Sequence, residues 1–262
     1  MKGDCVMLLT FDVGNTNITV GGFDEDRLVF TARIASNSDF TEDQYAATVS
    51  SVLLLHGVTI GEGDECIVCS VVPMITEMLG KALRMLTGKA PMTVGPGVKT
   101  GLNIKIDNPA QLGADLVAGA VGALAKYPMP CAVVDLGTAT TVCALDGTGA
   151  FLGGAIAAGV RSTLAALSSG TAQLPGVGIE RPKSVIGTNT AECMRSGLIV
   201  GAAAMIDGLV DRMEDELGMP FATVVATGGL APDVIPCCKR DITVDNDLLL
   251  DGLRVIYLKN KS

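Results

Sequence analysis

The sequence predicts an α/β protein made of two similar domains. The chain has 262 residues, 48% of them apolar, which is enough for one large or two small domains of roughly 150 residues each. The motifs Asp12-Val-Gly-Asn-Thr-Asn17 and Asp135-Leu-Gly-Thr-Ala-Thr140 each follow an apolar strand, and they lie about 125 residues apart. We interpret them as an internal duplication and divide the chain into an N-terminal domain, 1–117, and a C-terminal domain, 118–262.

The first half of the chain has the pattern of a β-meander followed by alternating helices and strands. Thr41-Glu-Asp-Gln44 is a capping box that opens an amphipathic helix ending at Leu55. The predicted strands are Leu8–Val13, Ile18–Phe23, Leu28–Ala32, Glu65–Val72 and Met92–Val94, and the predicted later helices are Ile75–Leu86 and one from Asn108-Pro109 to about Lys126.

The second half repeats this order. A long helix is expected from about Thr190 to Leu217, with Gly218 as its C-cap. The predicted strands are Cys131–Leu136, Thr140–Leu145, one beginning at Phe151, and Thr223–Ala226, and a last helix is predicted near Asp247–Tyr257. Each domain should therefore carry a mixed five-stranded sheet, flanked by helices, whose first three strands are an antiparallel meander.

Composition excludes several classes of function. The net charge of −9 is unsuited to binding nucleic acid or anionic lipid. The longest apolar stretch, Gly197–Ile206, is too short to cross a bilayer, and the N-terminus does not resemble a signal peptide. We therefore expect a cytoplasmic protein with no nucleic-acid or membrane partner and with reduced cysteines.

The cysteines leave one metal alternative open. Cys66 and Cys69 form a CxxC pair within a predicted strand, and Cys237-Cys238 is a second pair. A four-cysteine zinc site would require both pairs to converge. We favour the simpler interpretation that these residues are small buried hydrophobes.

The two duplicated turns indicate phosphate chemistry. Asp12 and Asp135 each end a strand, and the glycine two residues later lets the backbone approach a ligand closely. Successive turn amides and small polar side chains can bind phosphate oxygens, with a carboxylate nearby for hydrated Mg²⁺. The Thr227-Gly-Gly229 turn is either a further close-approach site, suited to a nucleoside, or an ordinary β-turn.

A carboxylate must act as the general base, because the chain has one histidine, His56, at a predicted helix end. Asp115 follows Gly113-Ala114 near the start of an otherwise apolar helix. By spacing alone, it is either a charge partner of the helix N-terminus or a base in a cleft.

These motifs together resemble type III pantothenate kinase, a family of the acetate and sugar kinase/Hsp70/actin superfamily. The resemblance covers nearly the whole chain in order. Its residues are Asp12-Val-Gly-Asn-Thr-Asn17, Ser70-Val-Val-Pro73, Thr100-Gly-Leu102, Asn108-Pro109, Gly113-Ala-Asp115, Asp135-Leu-Gly-Thr-Ala-Thr-Thr141, Gly153-Gly-Ala-Ile156, Ile186-Gly-Thr-Asn-Thr190, Thr227-Gly-Gly229 and Leu250-Asp-Gly-Leu-Arg-Val-Ile-Tyr257. It implies two ribonuclease-H-like (actin-like ATPase) domains and ATP-dependent phosphorylation of pantothenate to 4'-phosphopantothenate, the first step of coenzyme A biosynthesis.

The resemblance also implies roles for individual residues. Asp12 would hold Mg²⁺ through water, and Asp135 would bind a monovalent cation, K⁺ or NH₄⁺. Asp115 would accept the proton of the pantothenate hydroxyl. The ATP phosphates would contact the segment from Asp12 to Thr19, including Gly14, Asn15, Thr16, Asn17 and Thr19. Elsewhere, ATP would contact Thr138, Thr227, Gly228 and Gly229. Pantothenate would contact Gly113, Ala114, Asp115, Leu116 and Thr190. The family is homodimeric, with its pantothenate pocket at the dimer interface.

Three residues depart from the family pattern. Leu116 stands where the family usually has Arg, Ile106 where it usually has Tyr, and Ala158 where it has Pro. The Arg and Tyr belong to the pantothenate side, whereas the nucleotide motifs are intact. We therefore expect the departures to affect acceptor affinity or identity, with Arg161 or Lys105 as alternative cations.

Two other functions remain open at this point. One is a non-catalytic nucleotide-binding relative that regulates through a partner, which the loss of Arg at position 116 favours. The other is a kinase for another small hydroxylated acceptor. Retention of Asp115 favours a kinase, because a binding module does not require a base.

Overall fold

The chain forms two compact units that interleave along the sequence. The computed structural model describes residues 7–170 and 177–261. The first unit comprises Met1–Gly101, Ala110–Ala125 and Leu249–Ser262, and the second comprises Leu102–Pro109 and Lys126–Leu248. This grouping differs from two consecutive segments, so the division into 1–117 and 118–262 stays a prediction.

The first unit is built on a five-stranded mixed sheet of order β3-β2-β1-β4-β5. Its strands are β1 (Leu8–Val13), β2 (Asn17–Asp24), β3 (Arg27–Ala35), β4 (Glu65–Ser70) and β5 (Met92–Thr93). β1, β2 and β3 pair antiparallel, whereas β4 lies parallel to β1 and β5 lies parallel to β4. The predicted meander is therefore confirmed, and one residue of β4 lies beside each residue of β1.

Helices flank this sheet. They are α1 (Glu42–Leu55), α2 (Pro73–Thr87), α3 (Ala114–Lys126) and α8 (Leu248–Asn260). The capping box at α1 is present, because the Thr41 hydroxyl accepts from the Gln44 amide and the Gln44 side chain accepts from the Thr41 amide at 2.9 Å. One apolar cluster joins β1, β2, β3 and β4 to α1 and α2, and its burial is the main source of stability in this unit.

The second unit repeats the same sheet topology. Its five-stranded sheet has the order β10-β9-β6-β7-β8. The strands are β6 (Cys131–Leu136), β7 (Ala139–Leu145), β8 (Phe151–Ala158), β9 (Thr223–Thr227) and β10 (Thr243–Val244). β6, β7 and β8 pair antiparallel, whereas β9 is parallel to β6 and β10 is parallel to β9. The duplication inferred from the sequence is thus a duplication of structure.

The long helix of the second unit belongs to its core. Helix α5 (Thr190–Arg195), a π-helical turn (Ser196–Val200) and α6 (Gly201–Leu217) run on from one another, and Gly218 ends them in the left-handed conformation. Length and composition alone would let Thr190–Leu217 cross a membrane. However, Leu198, Ile199, Ala203, Ile206 and Val210 from this segment pack in the apolar cluster of the sheet. We therefore assign it as a core helix of the unit.

Two helices of the second unit escape sequence prediction. They are α4 (Val160–Gly170) and the short α7 (Ala231–Val234). α4 follows Gly159, and α7 spans only four residues with no side-chain cap, although Pro232 lies in its first turn.

The cysteines form no metal centre within the described parts of the chain. Cys66 and Cys69 are buried in β4, whereas Cys237 and Cys238 belong to the other unit and are half-buried. Among residues 7–170 and 177–261, no group of three or more His, Cys, Asp or Glu residues is arranged to hold a metal ion. The burial of Cys66 and Cys69 is consistent with small packing residues, although the Cys69 thiol also donates a hydrogen bond to Asp12.

Candidate active site

Asp12 lies at the end of β1, beside the exposed turn of the β1–β2 hairpin. Gly14 closes this turn by donating to the Asn17 carbonyl at 3.0 Å, and the Ser36 hydroxyl donates to the Gly14 carbonyl at 2.6 Å. Asn15, Thr16 and Asn17 are exposed. The hairpin therefore presents polar turn groups that are suited to phosphate oxygens, next to a strand-end carboxylate that is suited to hydrated Mg²⁺.

Two neighbouring strands flank Asp12 with small side chains. Thr19 is its antiparallel partner on β2, and Cys69 is its parallel partner on β4. The Cys69 thiol donates to Asp12 Oδ1 at 3.1 Å. Burial, followed by the charge of Asp12, raises the pKa of the Cys69 thiol well above its usual value, so this side chain remains a protonated donor.

The carboxyl group of Asp12 has an unusual affinity for its proton. The pKa of Asp12 is raised to about 6. Loss of solvation is the largest cause, the Cys69 hydrogen bond opposes the rise, and the charge of Asp115 adds to it. The structure thus brings Asp115, from α3, close enough to Asp12 for their charges to repel. A bound divalent cation would relieve this repulsion.

Asp115 is the second residue of α3, where the positive end of the helix dipole favours a carboxylate. Its Oδ1 accepts from the Leu116 amide at 2.8 Å. A side chain at position 113 would collide with this Oδ1. Gly113 is therefore required for the Asp115 conformation, which explains the glycine that precedes this carboxylate in the sequence.

The second unit places Asp135 in the equivalent position. Asp135 pairs with Thr141 on β7 and with Thr227 on β9, and both threonines are buried. The Thr141 hydroxyl is buried and lacks a hydrogen-bond partner among the residues that the structure describes. An oxygen atom of this kind, beside a carboxylate, is suited to a cation.

The turn after β9 passes close to Asp135. Gly228 has φ +96°, and a Cβ atom there would collide with Asp135 Oδ1 and with the Leu136 backbone. Only glycine tolerates this conformation and this proximity without strain. The tight approach at Gly228 is to the protein's own Asp135 and Leu136, so the predicted nucleoside contact of the Thr227-Gly-Gly229 turn stays a prediction.

Thr138 and Thr190 lie on exposed surfaces of the same unit. The Thr138 carbonyl accepts from the Gly159 amide at 3.2 Å and from the Ser162 hydroxyl at 2.9 Å. A side chain at position 159 would collide with that carbonyl. Thr190 is the first residue of α5, behind the N-cap residue Asn189. The structure describes no contact that tests the predicted roles of these two threonines.

The side chains proposed as alternative cations differ in their availability. Lys105 is paired with Asp146 at 2.8 Å, and this bond holds the pKa of Asp146 well below its usual value. Arg161 is exposed on α4. Asp146 lies in the turn between β7 and β8. The Lys105 side chain is therefore already paired with this turn.

Two residues near the strand-end carboxylates escape the sequence reasoning. These are Cys69, which the sequence identifies only as packing, and Thr141, which it does not separate from its motif. The signal that could have found both is the strand register. A residue on each neighbouring strand must lie beside Asp12 or Asp135 once the meander and the parallel strand are accepted.

Known proteins resemble this chain over nearly its whole length. The protein-family model for type III pantothenate kinase matches residues 8–212. The type III pantothenate kinase of Exiguobacterium sibiricum is 42% identical over 255 residues, which cover 97% of this chain and 100% of the relative. Those of Shouchella clausii and Syntrophotalea carbinolica are 41% and 40% identical, again over 97% of this chain and 100% of each relative.

Solved structures support the fold class at much lower sequence identity. A protein described as a Baf family transcriptional activator from Campylobacter jejuni has a TM-score of 0.61 at 18% identity, over 96% of this chain and 98% of that one. Component A of (R)-2-hydroxyglutaryl-CoA dehydratase from Acidaminococcus fermentans has a TM-score of 0.57 at 16% identity, over 96% and 97%. With the two repeated five-stranded sheets, these similarities confirm the predicted fold of two ribonuclease-H-like domains.

Proposed function

Because the chain belongs to the type III pantothenate kinase family, we propose that Asp115 is its general base and that Asp12 and the β1–β2 turn hold the ATP phosphates. The reaction is the ATP-dependent phosphorylation of pantothenate to 4'-phosphopantothenate, the first step of coenzyme A biosynthesis. The chain is thus a phosphotransferase whose acceptor is an alcohol.

The observation that carries these roles is the placement of two carboxylates in the first unit, Asp12 at the end of β1 beside the polar turn and Asp115 at the start of α3, where the Leu116 amide fixes it. Asp12 adjoins the polar turn, and the charge of Asp115 contributes to the raised pKa of Asp12. Phosphoryl transfer requires a phosphate-binding group and, next to it, a group that orients the acceptor hydroxyl and takes its proton. The pair Asp12 and Asp115 supplies both from neighbouring elements.

The chain's own residues would then act in a simple order. Backbone amides and the side chains of Asn15, Thr16 and Asn17 orient the phosphates. The Asp115 carboxylate, fixed by the Leu116 amide, accepts a hydrogen bond from the pantothenate hydroxyl and takes its proton as the oxygen attacks phosphorus. Gly113, Ala114, Leu116 and Thr190 are proposed to contact pantothenate.

The residues also fit the cations that we propose. Mg²⁺ is usually bound by one or two carboxylates together with substrate phosphates, rather than by a cage of protein ligands. A single carboxylate, Asp12, beside a phosphate-binding turn meets that requirement. When bound, Mg²⁺ would neutralise charge on the phosphates.

In the second unit we propose nucleotide contacts and a monovalent cation. Thr138, Thr227, Gly228 and Gly229 would contact ATP, which the exposure of Thr138 and Gly229 supports. Asp135 would bind K⁺ or NH₄⁺, with the buried Thr141 hydroxyl as a further oxygen.

A coupled ADP-release assay tests the function directly. With ATP, Mg²⁺ and K⁺ present, ADP release should depend on added pantothenate. ATP binding without pantothenate-dependent release would instead favour the non-catalytic regulatory relative. Release with another hydroxylated acid, but not with pantothenate, would favour a kinase for a different acceptor.

We expect activity to be higher in K⁺ or NH₄⁺ than in Na⁺. One reason is that Thr141 and Thr227, which both carry hydroxyl oxygen atoms, lie beside Asp135, where the cation would bind. The other is that the chain, with a net charge of −9, must bind polyphosphate with few cationic side chains of its own. Initial rates at matched ionic strength in each chloride salt measure this preference.

The Asp135→Asn variant provides the control, because it should lose the preference for K⁺ while still binding ATP. Equal rates of the unmodified protein in Na⁺ and K⁺ would contradict the role of Asp135.

Replacement of Leu116 by arginine should strengthen pantothenate binding. Leu116 follows the proposed base and is half-buried, so an arginine there could pair with the pantothenate carboxylate through a charge-assisted hydrogen bond. We expect the KM for pantothenate to fall by about 3- to 10-fold, with the KM for ATP unchanged.

The matched control is Leu116→Met, which alters shape but not charge. An unchanged KM in Leu116→Arg would mean that another cation already binds the carboxylate, or that the acceptor is not pantothenate.

We also propose a cytoplasmic homodimer that does not bind nucleic acid or membranes. The family membership supports the homodimer. The acidic net charge and the core packing of the one long apolar helix found among the described residues support the rest of this proposal. Light scattering across a range of concentrations measures the oligomeric state, and a monomer at all of them would contradict the dimer.

A further inference from the structure

The buried side chain of Cys69 contacts the Asp12 carboxylate from β4, a strand that has no role in the proposed reaction. Cys69 lies on β4, directly beside Asp12 in the parallel register, and its thiol donates to Asp12 Oδ1 at 3.1 Å. Its exposed fraction is 0%. Among the described residues, this is the side-chain hydrogen bond that Asp12 accepts.

Cys69 shares its face of β4 with the fully buried Ile67, so its hydrogen bond to Asp12, rather than burial, distinguishes it from an ordinary core residue. Side chains alternate along a strand, so Cys66 and Val68 lie on one face of β4 and Cys69 on the other. Cys66 and Val68 belong to the main apolar cluster of the first unit, whereas Cys69 does not. Apolar packing in that cluster therefore does not account for a residue at position 69 that can donate a hydrogen bond.

The duplicated sheet gives the same position a second time. In the second unit, β9 lies parallel to β6 as β4 does to β1, and Thr227 lies beside Asp135 as Cys69 lies beside Asp12. Both strand-end carboxylates thus have a small neighbour with a hydrogen-bond donor, a thiol in one unit and a hydroxyl in the other. A side chain that can donate a hydrogen bond thus occurs at the same strand position in both units.

We propose that Cys69 is a positioning residue of the kinase, whose thiol holds the Asp12 carboxylate in the orientation that receives hydrated Mg²⁺ on ATP. This inference rests on the proposed role of Asp12. One carboxylate oxygen is occupied by the thiol, which fixes the side-chain rotation and leaves the other oxygen for the water shell of the cation. A carboxylate fixed in this way loses less conformational freedom on binding.

The first test is the Mg²⁺ dependence of ATP binding, measured by calorimetry without pantothenate. Cys69→Ala removes the donor and should weaken ATP binding in Mg²⁺ by about 5- to 10-fold, because a hydrogen bond to a charged group is lost. Binding of ATP in EDTA should change by less than about twofold, since the turn that contacts the phosphates is intact. Cys69→Ser restores a donor and should recover the affinity in Mg²⁺.

Cys66→Ala is the matched control. It removes a buried thiol from the same strand but from the opposite face, and it should leave the Mg²⁺-dependent affinity unchanged. Equal loss in Cys66→Ala and Cys69→Ala would overturn the proposal in favour of general packing. Failure of Cys69→Ser to recover the affinity, or an unchanged affinity in Cys69→Ala, would also overturn it.

The S–H stretching band in the infrared provides a readout that does not depend on a stable alanine variant. The band that Cys69→Ser removes should shift when Mg²⁺ and ATP are added to the unmodified protein, and it should move toward the position of a weakly bonded thiol in Asp12→Asn. A band that is insensitive to both changes overturns the proposal.

Asp12→Asn also separates the proposed Mg²⁺-binding role of Asp12 from the proposed positioning role of Cys69. Unchanged Mg²⁺ dependence in that variant would refute the role of Asp12 itself, whereas loss there with none in Cys69→Ala would refute only the positioning role of Cys69.

Discussion

Asp115→Asn should lower kcat by about 100-fold or more while ATP still binds. General-base catalysis contributes about 10²- to 10⁴-fold, and an amide at this position cannot take the proton of the acceptor hydroxyl. The variant should otherwise be well tolerated, because an asparagine oxygen can still accept from the Leu116 amide, as Asp115 does at 2.8 Å. We propose that the phosphates contact the β1–β2 turn, so the dissociation constant of ATP should change little.

The matched control is Asp107→Asn, an exposed aspartate in the polar connection before α3. The ADP-release assay gives kcat and both KM values, and calorimetry gives ATP affinity. Near-normal kcat in Asp115→Asn would show that the proton leaves by another route, and the assignment would be wrong. A large loss in Asp107→Asn would move the base to that residue.

Most of the fold could be predicted because its signals are local. The apolar runs, the polar turns and the Thr41 capping box are readable within a few residues, and the repeated Asp-x-Gly turn revealed the duplication. The placement of α8 was not readable in this way. It packs in the first unit because Gly252 leaves room for the α3 backbone at Ala118. Such a close approach depends on two distant segments, and no local pattern reports it.

The residues of the candidate site also differ in whether a local sequence signal or a contact between distant segments identifies them. Asp12, Asp115 and Asp135 stand out in the sequence because each is a carboxylate in an apolar or glycine-rich setting. Their neighbours Cys69 and Thr141 are chemically ordinary in sequence, and only the strand register gives them a partner. Residues that we propose to act on a ligand therefore stand out in the sequence, whereas those that we propose to position them do not.

The second large effect is on stability, because the Asp12 carboxylate destabilises the metal-free folded protein. At pH 7 and above, the folded state carries a poorly solvated charge, because the pKa of Asp12 is raised to about 6 from 3.8. A raised acid pKa destabilises the fold, by about 2 kcal/mol for a half-buried group shifted by two units. Asp12→Asn removes the charge and should raise the free energy of unfolding at pH 7 by that amount, even though it weakens Mg²⁺-dependent ATP binding.

The pH dependence of this gain fixes its origin. As the pH falls through 6 toward 4, the folded protein binds a proton at Asp12 before the unfolded chain does, so the destabilising contribution of Asp12 is lost and the advantage of Asp12→Asn should vanish. Urea unfolding in EDTA, at several pH values between 4 and 8, measures the difference, with the exposed Asp39→Asn as control. A gain that persists unchanged at pH 4 would show improved packing rather than a removed charge. No gain at pH 7 would mean that Asp12 is better solvated than its contacts imply, and that its carboxylate binds Mg²⁺ without relieving any electrostatic cost.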